Sequence, residues 1–336
     1  MKRREIPGLR LLFLSMLLLL LLPAGVVARG VTAEEIAPGI YLRPGIQEEF
    51  APRNHGHIAN IGFIVGNQAV AVIDTGSTLN EGLWLRRLIR EVTDLPIAYV
   101  ILTHMHPDHS LGAAAFRQDE PEYIGHKQLS GALASRQSVY LNRMNQILGI
   151  MAKGTEMVLP TRTVDVGEVL KLDLGGRGLY LRGYPTAHTN NDLSVYDDKT
   201  GTLWLSDLLF VERIPVMDGS LRGWLKIIGE LGDRGCVQVA ADSAPPLKAE
   251  ASEGCKTVKR IVPGHGPVVT QWKQALGDQR RYLEIIATGI RKIIKQGGTI
   301  PEAVASVGLE ERDKWLLFDQ FHGRNVTAVF AELEWE

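Results

Sequence analysis

The chain is short of the features that mark unusual partners. Cysteine occurs twice in 336 residues, at Cys236 and Cys255. Neither lies in a cluster of other ligating side chains, which excludes thiolate ligation of a metal. Neither sign of charge is in excess: 37 lysines and arginines face 38 aspartates and glutamates, a formal net charge of −1. With no basic stripe and no cluster of stacking aromatics, this balance excludes a nucleic-acid partner. Internal repeats are absent, and low complexity is confined to the N-terminus. Beyond that terminus no long apolar run occurs, so nothing else in the sequence predicts a membrane span.

The one long apolar run, Leu11 to Leu22, follows Lys2, Arg3, Arg4 and Arg10 and is broken by Pro23. Val26-Val27-Ala28 then offers small residues for cleavage after Ala28. Residues 1–28 read as a signal peptide, which predicts a periplasmic or secreted protein. The run falls short of the roughly twenty residues a span requires. Extension through Val27 would make a marginal anchor, and the leader, if uncleaved, is the only expected route to a membrane. Arg3-Arg4 fits a twin-arginine signal poorly. In an oxidising compartment Cys236 and Cys255 are expected to pair rather than stay free. They flank Ala244-Pro245-Pro246, a loop or bent hairpin, and closing a loop of that size stabilises by about 3 kcal/mol.

Histidine is also scarce, nine in all, but three occur within six positions. The run Thr103-His104-Met105-His106-Pro107-Asp108-His109 follows an apolar strand-like segment, Ala98 to Leu102. Imidazole and carboxylate are the ligands preferred by zinc and other borderline divalent metals. In an extended segment His104 and His106 share a side, Asp108 continues it, and His109 begins to turn away. Three later segments repeat the arrangement of a ligand type just past an apolar run: His188, Asp207 and His265, the last flanked by Gly264 and Gly266.

On these residues the chain resembles the metallo-β-lactamase superfamily of hydrolases, over about residues 36–270. The order His-x-His-x-Asp-His, then His, Asp and His, is the family's. The resemblance implies an α/β fold, a four-layer αββα sandwich with a binuclear metal site on one edge. It implies that His104, His106 and His188 hold the first metal, Asp108, His109 and His265 the second, and that Asp207 bridges them. Asp74 falls where the family has an aspartate that braces the metal loop, although a plain turn residue is an equal reading. Tyr41-Leu42-Arg43-Pro44-Gly45, Asn60-Ile61-Gly62-Phe63, Asp218 to Trp224 and His322 to Thr327 look like the quinoprotein relay system zinc metallohydrolases. These are exported relatives of a sulfur-oxidation metallohydrolase, which implies a periplasmic quinoprotein partner. Two departures stand out: Ser206 where many relatives carry Gly before the bridging aspartate, and an insertion between Cys236 and Cys255.

The organisation expected is a leader over 1–28, a metallo-β-lactamase-like domain over 33–270 and a helical extension over 271–336. Ile58 to Val65 and Ala69 to Ile73 predict a hairpin. Leu79, Leu83, Leu88, Ile89 and Val92 predict one face of a helix from Thr78. Strands are expected at 162–166, 169–174, 179–184, 193–196 and 202–205. Ser220 is placed to cap a helix, and 271–295 is a long amphipathic one.

Chemically, a divalent metal lowers the pKa of bound water from about 15.7 to about 7. The expected reaction is therefore attack of metal-bound hydroxide on an ester, thioester, lactone or amide carbonyl of a small-molecule substrate, with two Zn2+ per chain. Asp108 would orient the hydroxide and Asp207 fix the metal separation. Asp192 is a candidate acceptor for an imidazole N–H, with a turn-capping carboxylate as the plainer reading. His322, Arg222 and Arg324, with Arg213, are candidate substrate contacts. His55, His57 and His126 read as structural. A β-lactamase is a narrower alternative. A mononuclear Fe2+ dioxygenase of persulfides and a noncatalytic partner-binding module are the others.

Overall fold

Alternation of apolar side chains decides which layer each strand face joins. The computed structural model describes residues 33–239 and 254–336. The expected signal peptide with its cleavage site and Ala244-Pro245-Pro246 lie outside them. A seven-stranded sheet runs in chain order: β1 (Glu34–Ala37), β2 (Ile40–Arg43), β3 (Ile61–Val65), β4 (Val70–Ile73), β5 (Ile97–Ile101), β6 (Glu122–His126) and β7 (Arg162–Val164). Strands β1 to β4 pair antiparallel, and β4 to β7 parallel. On β4, Val70 and Val72 face one layer while Ala71 and Ile73 face the other, the two-residue period of a pleated strand.

A second sheet is built from β8 (Val169–Asp173), β9 (Gly178–Gly183), β10 (Leu193–Asp197) and β11 (Thr202–Phe210), with a last strand, Arg260–His265, parallel to β11. Between β11 and that last strand lies a small hairpin of β12 (Cys236–Gln238) and β13 (Cys255–Thr257), so the last strand is β14. Cys236 and Cys255 are disulfide-bonded within this hairpin.

The two sheets share an inner core that includes Ile64, Ile73, Ile101 and Val164 from one side and Leu181, Val195, Trp204 and Val262 from the other. The outer face of the first sheet is covered by α1 (Leu79–Val92) and α3 (Leu129–Leu148), with a one-turn helix, α2 (Pro107–Ser110), between them. The outer face of the second is covered by α4 (Leu221–Arg234), α5 (Trp272–Lys295), α6 (Ile300–Ser306) and α7 (Phe318–Leu333). The result is an αββα sandwich with C-terminal helices. Helix α5 spans the amphipathic stretch expected there, and Leu276, Leu283, Ile286 and Ile290 are its buried stripe. Among the described residues no helix is long and apolar enough to cross a membrane.

Helix α1 shows how local signals and burial cooperate. Thr78 accepts from Glu81 N at 3.2 Å and caps it. Leu85, Leu88 and Ile89 are buried against the first sheet, each contributing about 1.5–3 kcal/mol. Glu81 itself is buried. Its carboxylate accepts from Ser77 N at 2.8 Å, His57 Nδ1 at 2.6 Å and Arg43 Nη1 at 3.2 Å. That ion cluster ties α1 to the loop before β3.

Candidate metal centre

Strand ends on one edge of the sandwich carry the site. Leu102 to His106 follows β5, Tyr184 to Asp192 joins β9 to β10, and His265 ends β14. From Pro107 the chain is helical rather than extended. That turn separates Asp108 and His109 from the side shared by His104 and His106, correcting the reading that Asp108 continues their side. Asp207 does not follow the end of a strand either. Strand β11 continues through it to Phe210, with its register against β14 shifting on either side of Ser206.

Ser206 has φ +50°, a conformation in which glycine is at ease and other residues are strained. The serine keeps the turn because its hydroxyl is engaged, 2.8 Å from Thr103 Oγ1 and 3.3 Å from Asp74 Oδ2. The room for Asp207 comes from Gly264. A Cβ on Gly264 would lie 1.7 Å from Asp207 Oδ1.

Two groups of donors result. His104, His106, His188 and Asp207 form one, and Asp108, His109 and His265 the other. In the first, His106 Nδ1 lies 3.1 Å from His104 Nε2 and 3.0 Å from His188 Nε2. Asp207 Oδ2 is 3.5 Å and 3.2 Å from the same two Nε2 atoms. In the second, Asp108 Oδ2 is 3.7 Å from His109 Nε2 and 3.3 Å from His265 Nε2. Asp207 Oδ1 reaches those nitrogens at 3.2 Å and 3.6 Å. The two oxygens of Asp207 therefore face different groups.

Four donors about 2.0–2.1 Å from one tetrahedral zinc stand about 3.3 Å apart, which is the spacing seen. His109 Nε2 and Asp207 Oδ1 are buried without a hydrogen-bond partner, as expected of atoms whose partner is a cation. The donor set is nitrogen and carboxylate oxygen, which suits zinc and accommodates iron.

The outward nitrogens explain why each ring holds its pose. His104 Nδ1 meets Thr103 Oγ1 at 3.1 Å, His106 Nε2 meets Asp218 Oδ2 at 3.0 Å, and His188 Nδ1 meets the Val216 carbonyl at 2.8 Å. His109 Nδ1 meets Asp74 Oδ2 and His265 Nδ1 the Ile58 carbonyl, both at 2.8 Å. Such partners fix the tautomer, leaving the inner nitrogen as a lone-pair donor. Asp74 takes the bracing role: it also accepts from Thr103 N and Thr103 Oγ1, each at 2.9 Å. Burial lowers the pKa of His104 well below the usual histidine range, and the nearby His109 adds to this. Burial alone would raise Asp207, but His109, His265 and His104 outweigh it and hold the carboxyl well below the usual range.

Three expected contacts fall elsewhere. Asp192 does not touch an imidazole. It accepts from Thr189 N and Thr189 Oγ1, closing a turn, while His188 uses the backbone carbonyl of Val216, 28 residues further on. His322 is packing, not pocket: its ring is buried, stacks on Phe318, and bonds Tyr282 Oη and the Val307 carbonyl. Arg222 is exposed and pairs with Glu332 and Glu336. Arg324 does line the cavity over the site, which has a volume of about 370 Å³.

Sequence reasoning missed two groups. Asp218 was legible only as part of a shared motif, with no sign that it reaches back to His106. The stripe Arg136, Tyr140, Arg143 and Ile147 lines the same cavity. Its spacing of four, three and four residues on α3 is the one signal that could have found it.

A family model described as the metallo-beta-lactamase superfamily matches residues 56–265. The chain is 32% identical over 53 residues to a linear primary-alkylsulfatase of Pseudomonas sp. (strain ATCC 19151), a stretch covering 16% of this chain and 10% of that protein. Among solved structures, a metallo-beta-lactamase from Pontibacter korlensis superposes with a TM-score of 0.55 at 17% identity, covering 76% of this chain and 99% of that one. The stereoselective inverting sec-alkylsulfatase Pisa1 from Pseudomonas sp. gives 0.65 at 17% identity, covering 90% of this chain and 50% of that one. At such identities the structural likeness establishes the fold.

Proposed function

The chain belongs to the metallo-beta-lactamase superfamily, and from that premise we propose that it is a binuclear zinc-dependent hydrolase of an ester-class carbonyl. The observation that carries the proposal is the split of Asp207, one oxygen toward each of two buried donor groups. His104, His106 and His188 would hold one zinc, and Asp108, His109 and His265 the other. When bound, two such cations polarise a carbonyl and make water acidic near neutral pH.

The protein's own part is positioning. Asp108 is buried, yet it lines the cavity. Burial would raise its pKa, but His109 and His265 hold it far below the usual range. It is therefore an acceptor that orients the attacking water. Hydrolysis adds that water across the acyl bond: the acyl–oxygen bond breaks, and acid and alcohol leave. Tyr140 on the cavity wall has its hydroxyl pushed well above the usual tyrosine range by burial, so it stays protonated and is placed to donate to the departing oxygen.

The bonded pair Cys236–Cys255 supports an exported protein, since such bonds persist in oxidising compartments. The likeness to quinoprotein relay system zinc metallohydrolases supports a periplasmic quinoprotein partner. The test is metal content of the purified protein, followed by turnover of thioesters, lactones, alkyl sulfates, nitrocefin and glutathione persulfide. About two zinc per chain with ester or thioester turnover is expected. About one iron with persulfide oxidation would replace this reading with the dioxygenase. His106→Ala should abolish turnover while the circular dichroism spectrum is kept, and full activity would refute the ligand assignment.

A further inference from the structure

Beside the donor groups lies a buried guanidinium with no carboxylate of its own. Arg213 is 3% exposed and lines the cavity. Its Nη1 lies 2.9 Å from His265 Nδ1. That same nitrogen lies 2.8 Å from the Ile58 carbonyl. With Nε2 turned to the donor group, Nδ1 carries the ring proton and gives it to Ile58, so it has no lone pair for Arg213. What remains to Nη1 is a 3.4 Å contact with the Glu48 carbonyl, and Nε has no partner at all.

The rest of the cavity does not make good the deficit. Arg136, Arg143 and Arg324 also line it, and among the described residues none of the four arginines has a carboxylate within ion-pair distance. Of the lining acids, Asp108 and Asp207 belong to the donor groups and Asp218 holds His106. Only Glu49 is left. Phe50, Tyr140, Ile147 and Phe321 supply an apolar wall. A buried charge without a counter-ion is costly, and each divalent cation held by the donor groups would add two more positive charges.

We propose that the cavity selects a small ester that carries an anionic group on an apolar body, and that Arg213 is the residue that selects it. The substrate class rests on the hydrolase reading; the anion site does not. A guanidinium accepts carboxylate and sulfonate alike through paired N–H donors. Both headgroups are therefore tested.

The experiment is calorimetric titration of 1-octanesulfonate and octanoate, with 1-octanol as the neutral control, into the protein as purified and after metal removal. At least one anion should bind in preference to octanol in both forms, and the tighter of the two identifies the headgroup. Arg213→Met should raise its Kd about tenfold or more, the loss expected for a charge-assisted bond, and Arg213→Lys should recover part of it. Because Arg213 is buried, the exposed pair Arg143→Gln with Arg324→Gln provides an independent arm, and it too should weaken binding. Kd values for the anions that match octanol, or that no arginine substitution moves, would overturn the proposal. Arginine-dependent anion binding without turnover of any ester would leave the anion site standing and sink the hydrolase reading. Turnover of neutral esters with no anion binding would do the reverse.

Discussion

Asp74→Asn isolates what the bracing carboxylate does. Asp74 is fully buried with φ +57°, a conformation that asparagine tolerates as well as aspartate. The backbone therefore need not move. The side chain keeps its shape but exchanges one acceptor oxygen for an NH2 donor. Asp74 Oδ1 accepts from Thr103 N, while Oδ2 accepts from His109 Nδ1, Thr103 Oγ1 and Ser206 Oγ. The hydroxyls can turn to accept instead, but the Thr103 and His109 N–H groups cannot. Either amide orientation therefore sets one buried N–H against a donor. Such an unsatisfied group costs about 1–3 kcal/mol. At 1.4 kcal/mol per factor of ten, this is about 5- to 150-fold in metal affinity, overlapping the 10- to 100-fold typical of partners that orient a ligand ring. The assay is competition of the metal-loaded protein against a chromogenic chelator, with circular dichroism to confirm folding. A folded Asp74→Asn variant with unchanged affinity would refute the idea that this carboxylate holds His109 in place.

Gly264→Ala should strip metal from the site, because its Cβ would lie 1.7 Å from Asp207 Oδ1; metal content equal to the unsubstituted protein would show that Asp207 does not need that space. Glu81→Gln should destabilise the fold by about 3–5 kcal/mol at pH 7, since it leaves Arg43 buried without its counter-charge, and denaturant unfolding measures this. Burial raises the Glu81 pKa, but His57 and Arg43 outweigh it and lower the group below its ordinary value of 4.5. A carboxyl lowered on folding contributes stability above the unfolded pKa that is lost as pH falls through the folded one. The stability loss on acidification below about pH 4.5 should therefore be shallower in Glu81→Gln; a slope equal to that of the unsubstituted protein would remove the cluster from the acid response. Breaking the Cys236–Cys255 bond, which spans 19 residues of sequence, by Cys236→Ser with Cys255→Ser should cost about 3 kcal/mol. Because the hairpin lies apart from the donor groups, metal content should not change; loss of metal would show that the hairpin supports the site.

The element pattern was legible because it follows from short-range chemistry. The hairpin β3–β4 reads from two short apolar runs around a turn and α5 from a 3.6-residue period, whereas the helix α1 was expected but its buried face was misread: Leu83 and Val92 are exposed, and Leu85 is buried in their place. The donor types were legible for the same reason: His104, His106, Asp108 and His109 sit in one short run, and His188 and His265 each follow an apolar segment. The misreadings arose where a side chain's partner lies far along the chain. Asp192 was expected at an imidazole but found Thr189, three residues away, because a local turn bond needs no tertiary arrangement. His322, Arg222 and Arg324 were all candidates in sequence, and only packing separated them.

By itself, then, the polypeptide determined its strands, its helices and the chemical identity of the groups it brings to the centre. Tertiary structure decided which atom of each group turns inward. Asp218 reaches His106 across 112 residues and Ile58 reaches His265 across 207. Those outer bonds choose the ring tautomer, and the same Ile58 bond denies Arg213 the lone pair of His265 Nδ1. No local periodicity encodes such pairings, because they exist only once two sheets have packed and closed the distance between their edges.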